Sequence, residues 1–382
     1  MTKTILLTGA TGFLGAEILK RLIDRDTATR VVVLVRSSKR EAASVRLAAL
    51  VTATFGERAG AVRDRIELVD GDMTDPRFGM GGPEFEALAA RVDHVIHCAA
   101  TIRFDLPLDE ARHVNVGGTR HVLEFADLAK AKGGFVRFDY VGTAYVAGRR
   151  KGVIYEDDLE CGQEFSNSYE RTKTEAEALV RSRMKDLPIA IFRPSIITGD
   201  SRTGAASSFH GMYQPISLLV RGLIFLVPVD VRTPVDLVPV NYVADALLHL
   251  VATPTSLGRT YHLTVGRNRS LPLGDLLAMV VRHFGCKVPR IISLETYRKY
   301  FQPGLHLLLW GKKRRAMFKG EMYLPYLSAD LQFDTANVER DLEGSGIAPP
   351  RVEEYFTRLL EYYDAEALRR GASHAKSRAR SR

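Results

Sequence analysis

Apolar and polar positions along the first half of the chain follow two alternating periods. Ile5–Thr8 is a strand-like apolar run, and Leu14, Ile18 and Leu22 then recur every four residues, the spacing of one helix face. Arg30–Arg36 (RVVVLVR) is almost unbroken in β-branched residues, as expected of a strand covered on both faces of a parallel sheet. Arg65–Asp72, Asp93–Ala100, Gly134–Val146 and Pro188–Ser195 repeat the strand signal. Helical patterns at Arg40–Thr54, Pro83–Ala90, Leu108–Lys130 and Ser168–Lys185 stand between them. Units of this length predict an α/β protein, a doubly wound parallel sheet with helices on both faces.

Past residue 200 the rhythm loosens. Glycine, proline and apolar residues mix without regular spacing, which predicts a smaller C-terminal lobe over 201–234 and 266–368. Val235–Val251 and Arg259–Gly266 again read as strand, helix and strand, so the sheet domain of residues 1–200 resumes over about 235–265. The tail 369–382 lacks apolar periodicity and reads as a basic, disordered extension.

Composition changes this picture little. With 382 residues, 46% hydrophobic and 26% charged, the chain can bury one large core with an appended lobe. The longest apolar stretch, Pro215–Asp230, is short and carries Arg221 at its centre, against a spanning helix. No signal-peptide series precedes the first strand. Cys98, Cys161 and Cys286 are odd in number and widely spaced, which fits neither a disulfide framework nor zinc, so a reducing, cytoplasmic compartment is expected. The net charge of +9 is local: Arg369–Arg382 holds six basic residues and Lys312–Lys319 five, neither with an acid. The remainder is close to neutral, which argues against nucleic acid as a partner.

The turn after the first strand, LLTGATGFLG, sets Gly9, Gly12 and Gly15 three apart. Glycine permits strained dihedrals and lets a phosphate approach the amides of a helix N-terminus, so a Rossmann-type dinucleotide cradle is expected. A plain strand-to-helix turn is the alternative. The end of the second strand distinguishes the dinucleotides. An NAD site places Asp or Glu there for the ribose 2′-hydroxyl. Here LVRSSKR offers Arg36, Lys39 and Arg40, with no acid before Glu41. A guanidinium can bind a 2′-phosphate bidentately, so NADPH is expected, with Arg36 as its main contact. Otherwise Arg36 is a solvated strand-end charge. Asp72, ending the third strand, is placed to accept from the adenine amino group, and small Ala99 and Ala100 let the backbone approach the cofactor. His94 and His97 lie three apart in a strand, point to opposite faces and make a poor metal pair.

YERTK sets Tyr169 and Lys173 four apart on one helix face. A free tyrosine titrates near 10, and a nearby ammonium together with a cationic nicotinamide favours phenolate, so Lys173 is expected to lower the Tyr169 pKa. Thr143, in VGTAYVAG at the carboxyl end of the fifth strand, can donate to a substrate carbonyl in the same crevice. Asn115 in NVGGT opens the helix beneath and reads equally as a support, a water anchor or a purely structural residue.

The ordered series TGATGFLG, the basic end of strand two, GD, HCAA, NVGGT, VGTAYVAG, Y-x-x-x-K and RPS resembles the extended short-chain dehydrogenase/reductase family over about the first 265 residues. TGFLG, HCAATIRFDLPLDEARHVNVGGTRHVLE, TAYVAG and RPSIITGDSRTG look most like its male-sterility-like branch of fatty acyl-CoA and carrier-protein thioester reductases. Gly142 departs from that branch, which often has serine before the catalytic hydroxyl residue. The resemblance implies that Thr11, Phe13 and Leu14 join Gly9, Gly12 and Gly15 in the cradle. It likewise implies that Met73, Pro194, Ile196, Tyr169 and Lys173 hold the cofactor, and that Thr143, Tyr169, Lys173 and Asn115 form the catalytic set. The implied reaction is hydride transfer from NADPH to an acyl thioester, as acyl-CoA or on an acyl carrier protein. Tyr169 protonates or hydrogen-bonds the oxyanion, Thr143 is a second donor, and Lys173 holds the ribose. Collapse of the thiohemiacetal gives aldehyde and free thiol, and a second hydride gives alcohol. The lobe is then the substrate-binding part.

A ketone or hydroxysteroid-type dehydrogenase of the same fold is the alternative enzyme, and a catalytically silent NADP-binding regulator the alternative from another class. An epimerase would normally carry an acid at the end of strand two, which this chain lacks. Leu305–Lys319 joins an apolar cluster to a basic patch that suits peripheral membrane contact, the phosphates of coenzyme A or a carrier arm, or plain solvation.

Overall fold

The computed structural model describes residues 3–209, 211–223, 226–304, 311, 314, 318, 321–326 and 330–380, except the side chains of 369–380. Seven strands make the central sheet: β1 (Thr4–Thr8), β2 (Arg30–Val35), β3 (Ile66–Asp70), β4 (His94–His97), β5 (Arg137–Val141), β6 (Ile189–Pro194) and β7 (Thr260–Leu263). Their order is β7-β6-β5-β4-β1-β2-β3, every pairing parallel. The strand alternation splits the core in two. Ile5, Leu7, Val31 and Val33 face one side, where helices α1 (Phe13–Arg25) and α2 (Ala43–Phe55) pack. Leu6, Val32, Leu34 and Val95 face the other, under α3 (Gly82–Ala89), α4 (Gly118–Lys132) and α5 (Ser168–Ser182). This is the doubly wound sheet that the hydrophobic pattern predicts.

Strand order reverses between β1 and β4, whose ends Thr8 and His97 are in register. Loops leaving these two strands must diverge to opposite faces, which opens a crevice at their carboxyl ends. Helix α5 is fixed beside that crevice by a buried ion pair. Arg193 of β6 donates to Glu177 at 2.6 Å, with both side chains fully buried, and also to the Asp158 carbonyl. Loss of one partner would strand the other charge, at a cost of about 3–5 kcal/mol.

Several elements differ from the pattern-based expectation. The run expected to be one strand to Val146 ends at Val141. There Gly142 makes the last bond to β6, its amide donating to the Phe192 carbonyl at 2.7 Å, and Thr143 caps a short 3-10 turn, Ala144–Ala147, by accepting from the Tyr145 amide. The helix expected over Leu108–Lys130 is interrupted by a π turn at His113–Gly117, which holds Asn115. Gly118 follows because a Cβ there would lie 3.0 Å from the Met73 side chain.

The lobe is built from α6 (Tyr213–Val220), α8 (Leu273–Phe284), the first turns of α9 (Val352–Arg380) and two short strand pairs, around Ile216, Leu219, Val235, Leu276, Val280 and Phe356. Helix α7 (Val240–Ala252) returns to the sheet and packs on α1, with Arg21 donating to Asp245 at 2.8 Å. Part of the segment expected in the lobe belongs to the sheet domain instead. Leu331–Phe333 pairs with Gly152–Ile154, and Val338 and Leu342 of the next helix enter the sheet core. Helix α9 runs over Val352–Arg380. Among the described residues no helix is long and apolar enough to cross a membrane. Within Leu305–Lys319, all but Gly311, Arg314 and Phe318 lie outside the described residues, as do residues 381–382.

Candidate active site

The cradle is built by contact distances that exclude side chains. Gly9 has φ of +76°, and a Cβ there would sit 2.7 Å from the Ala99 backbone nitrogen. A Cβ on Gly15 would run into the Gly9 carbonyl, and Gly12 donates to that same carbonyl at 2.9 Å. Helix α1 therefore starts flush against β1 and β4. Its N-cap is Gly12, with no side-chain cap bond and no acid in the first turn. Its leading amides and positive dipole end are thus available to an anion, the feature a pyrophosphate requires. The residues present fit a dinucleotide.

A cavity of about 1140 Å³ runs from this turn into the lobe. Gly9, Thr11, Gly12, Phe13, Leu14 and Gly15 line one end. Ala100, Thr143, Tyr169, Lys173, Pro194 and Ile196 line the middle. Cys98, which the sequence did not single out, lines it too, as a free thiol pushed up to about 12 by burial. Arg36, Asp72, Met73, Ala99 and Asn115 are not among the lining residues.

Those five take other places. Arg36 is 63% exposed and donates to Asp72 at 3.1 Å, so its fork is only partly engaged. Burial pulls the Asp72 carboxyl up, but bonds from the Thr74 amide and hydroxyl and from Arg36 outweigh it and hold the group below its ordinary value. Met73 packs against Gly118, and its carbonyl meets His121 Nδ1 at 2.9 Å. Ala99 closes against the Gly9 turn, and its amide donates to Thr8 Oγ1 at 3.2 Å. Asn115 is buried and fully engaged: its Oδ1 accepts from the Thr101 amide at 2.8 Å, and its Nδ2 reaches the Thr101 carbonyl and Thr172 Oγ1. It ties the loop after β4 to α5, so its geometry is that of a support.

Arg46, one turn into α2, went unread in the sequence. Its guanidinium bonds the Arg36 carbonyl at 2.6 Å and Thr11 Oγ1 at 3.3 Å, placing a second cation between strand end and cradle. A lone arginine on an alternating surface helix carries no signature by itself.

Tyr169 and Thr143 face one another at the centre, both lining the cavity. Burial pushes Tyr169 up to about 12, and the nearby Thr143 hydroxyl offsets only part of that. Lys173 is not among the groups that move it, and the expected lowering included a bound cationic nicotinamide. The Lys173 ammonium instead donates to the Val141 carbonyl at 2.9 Å and lies 4.4 Å from the Tyr140 ring centroid. Desolvation pulls Lys173 down to about 8, against the pull of Cys98 and Glu177. A Cβ at Gly142 would lie 3.1 Å from Glu177 Oε2, a carboxylate pinned by Arg193, which explains a glycine before Thr143.

The two histidines serve the sheet. His94 bonds Asp139 inside it, and His97 bridges Thr8 at 2.7 Å and Thr119 at 3.0 Å. Burial, with the Lys173 charge, brings His97 down to about 3, so it is neutral.

The fold and this site define a dinucleotide-binding reductase with a buried phenol at its centre. A family model described as "Male sterility protein" matches residues 7–247, and the chain belongs to that family, the fatty acyl-CoA and thioester reductase branch of the extended short-chain dehydrogenase/reductases. It is a nicotinamide-dependent oxidoreductase. A linear gramicidin synthase of Brevibacillus parabrevis is 33% identical over 76% of this chain, which spans 6% of that protein. Fatty acyl-CoA reductase wat of Drosophila melanogaster is 27% identical over 88% of this chain and 77% of its own length. The crystal structure of the terminal R domain from the myxalamid PKS-NRPS pathway matches with TM-score 0.79 and 30% identity, covering 97% of this chain and 91% of that one.

Proposed function

We propose that the protein is an NADPH-dependent reductase of fatty acyl thioesters, carried on coenzyme A or on an acyl carrier protein, releasing aldehyde and, by a second turnover, alcohol. The observation that carries this reading is the continuity of the cavity. From Thr143 and Tyr169 it passes into a wall of Ile216, Leu219, Leu276, Leu277, Val280 and Phe356, with no charged residue among these six. An aliphatic chain gains about 0.8 kcal/mol per buried methylene in such a channel, whereas a peptide would leave unpaired amides there. The relatives named for acyl-CoA reduction and for peptide synthesis share the reductase fold, and the apolar wall favours the first substrate class.

When bound, the nicotinamide supplies the hydride for the thioester carbonyl carbon. The Tyr169 phenol, protonated throughout the neutral range, donates to the oxygen as negative charge grows on it. Thr143, beside it, orients the phenol and adds a second hydroxyl. Lys173, which lines the same cavity, would hold the ribose. The thiohemiacetal then expels thiol to give the aldehyde.

Chain length tests the apolar channel. Val280→Phe should raise KM for a sixteen-carbon acyl-CoA about tenfold while leaving an eight-carbon one within twofold. Equal effects on both would remove the channel from the account.

For the cofactor, the 2′-phosphate would fall between Arg36 and Arg46. Arg36→Ala should raise the NADPH KM roughly tenfold or more with NADH use unchanged, as expected from a lost charge-assisted bidentate contact. Arg46→Ala should do the same more weakly. An unchanged NADPH:NADH ratio in both variants would refute the NADPH assignment.

A further inference from the structure

We propose that Tyr326, contributed by a turn far along the chain, is a positioning residue that locks the catalytic helix into register with Thr143, an inference that rests on the thioester-reductase reading above. It lies in the turn at 321–326, far along the chain from Tyr169, and lines the cavity. Its hydroxyl accepts from Asn167 Nδ2 at 2.8 Å and faces the Glu170 carboxylate.

These two partners are the N-terminal cap of α5. Asn167 Oδ1 accepts from the Glu170 amide at 2.9 Å, while Glu170 Oε2 accepts from the Ser166 amide at 2.7 Å, a reciprocal box around the first turn. Glu170 is 2% exposed, so its carboxylate has little water to replace the Ser166 amide or the Tyr326 hydroxyl beside it. Tyr169 lies inside that first turn, and the cap sets where its phenol points.

The Tyr326 ring reaches the other half of the site. It stacks on Phe104 at 5.2 Å, and Phe104 lies 5.6 Å from the Tyr169 ring. It also meets Tyr145 edge-on at 4.9 Å, and the Tyr145 amide donates to Thr143 Oγ1. One side chain therefore touches the supports of both Tyr169 and Thr143. Seating the 321–326 turn and aligning the two hydroxyls become one event.

Tyr326→Phe in the full chain keeps the ring and deletes the hydroxyl. The expected result with a long-chain acyl-CoA is a kcat about tenfold lower, KM within twofold and NADPH Kd unchanged. Asn167→Ser keeps a cap acceptor for the Glu170 amide but loses the donor to Tyr326, and should reproduce the same kcat loss. A wild-type kcat in both variants, or a loss confined to KM, would overturn the proposal. Hydrogen exchange of the Ser166 and Glu170 amides is a readout independent of substrate. Tyr326→Phe should speed it at least tenfold with the rest of α5 unchanged, and unaltered exchange would overturn the proposal. Should the wild-type protein not turn over acyl-CoA, the substrate reading fails, and exchange still decides whether Tyr326 holds the helix.

Discussion

Tyr169→Phe should lower NADPH-linked turnover at least about a hundredfold while NADPH affinity stays within about twofold, the expected size for loss of one acid–base or oxyanion donor. The substitution is local: the ring keeps its place 5.6 Å from Phe104, and only the oxygen beside Thr143 is lost. Burial holds the phenol at about 12, so its proton is present over the whole neutral range and the group acts as a donor, not a base. Steady-state turnover with NADPH fluorescence titration reads both quantities. Turnover within a few-fold of wild type would remove Tyr169 from the chemistry.

Lys173→Met should lower kcat/KM by a factor on the order of a hundred, comparable to the loss of Tyr169. It should do so without destabilising the fold. Burial brings the ammonium from 10.5 in the unfolded chain to about 8, so folding disfavours its charged form. That difference costs about 3 kcal/mol below pH 8, and stability from this group rises as pH climbs from 8 toward 10.5. Methionine removes the cost and forfeits one hydrogen bond to the Val141 carbonyl, worth about 1 kcal/mol. The variant's Tm at pH 7 should therefore be at or above that of the wild type. The wild-type kcat/KM should fall as pH passes upward through about 8, where Lys173 loses its proton, and the variant should lack that limb. A destabilised variant with an unchanged pH profile would make Lys173 a structural residue.

What the sequence made legible is what depends on local spacing. Leu14, Ile18 and Leu22 lie on the buried face of α1, and the glycines at 9 and 15 stand where a Cβ would strike Ala99 or the Gly9 carbonyl. Tyr169 and Lys173 line one cavity because four residues make one helical turn. What escaped depends on long-range packing. Asn115 faces Thr101 and Thr172 because a π turn rotates it, and NVGGT does not announce that turn. Lys173 sits four residues from Tyr169 but spends its charge on Val141, since the direction of a long side chain is set by its neighbours. Leu331–Phe333 joins the sheet domain through pairing with Gly152–Ile154, a partner far away along the chain. Tyr326 reaches the catalytic helix across a similar distance, and no periodicity marks it.

The most direct measurement of the central claim is NADPH consumption by the purified protein with a long-chain acyl-CoA, followed together with release of free coenzyme A. The account predicts that thiol appears with NADPH oxidation, at one thiol per NADPH if aldehyde is the end product and one per two if alcohol is, and that Tyr169→Phe abolishes both. NADPH binding without thiol release would contradict thioester reduction and leave a ketone or hydroxysteroid-type substrate as the reading to test.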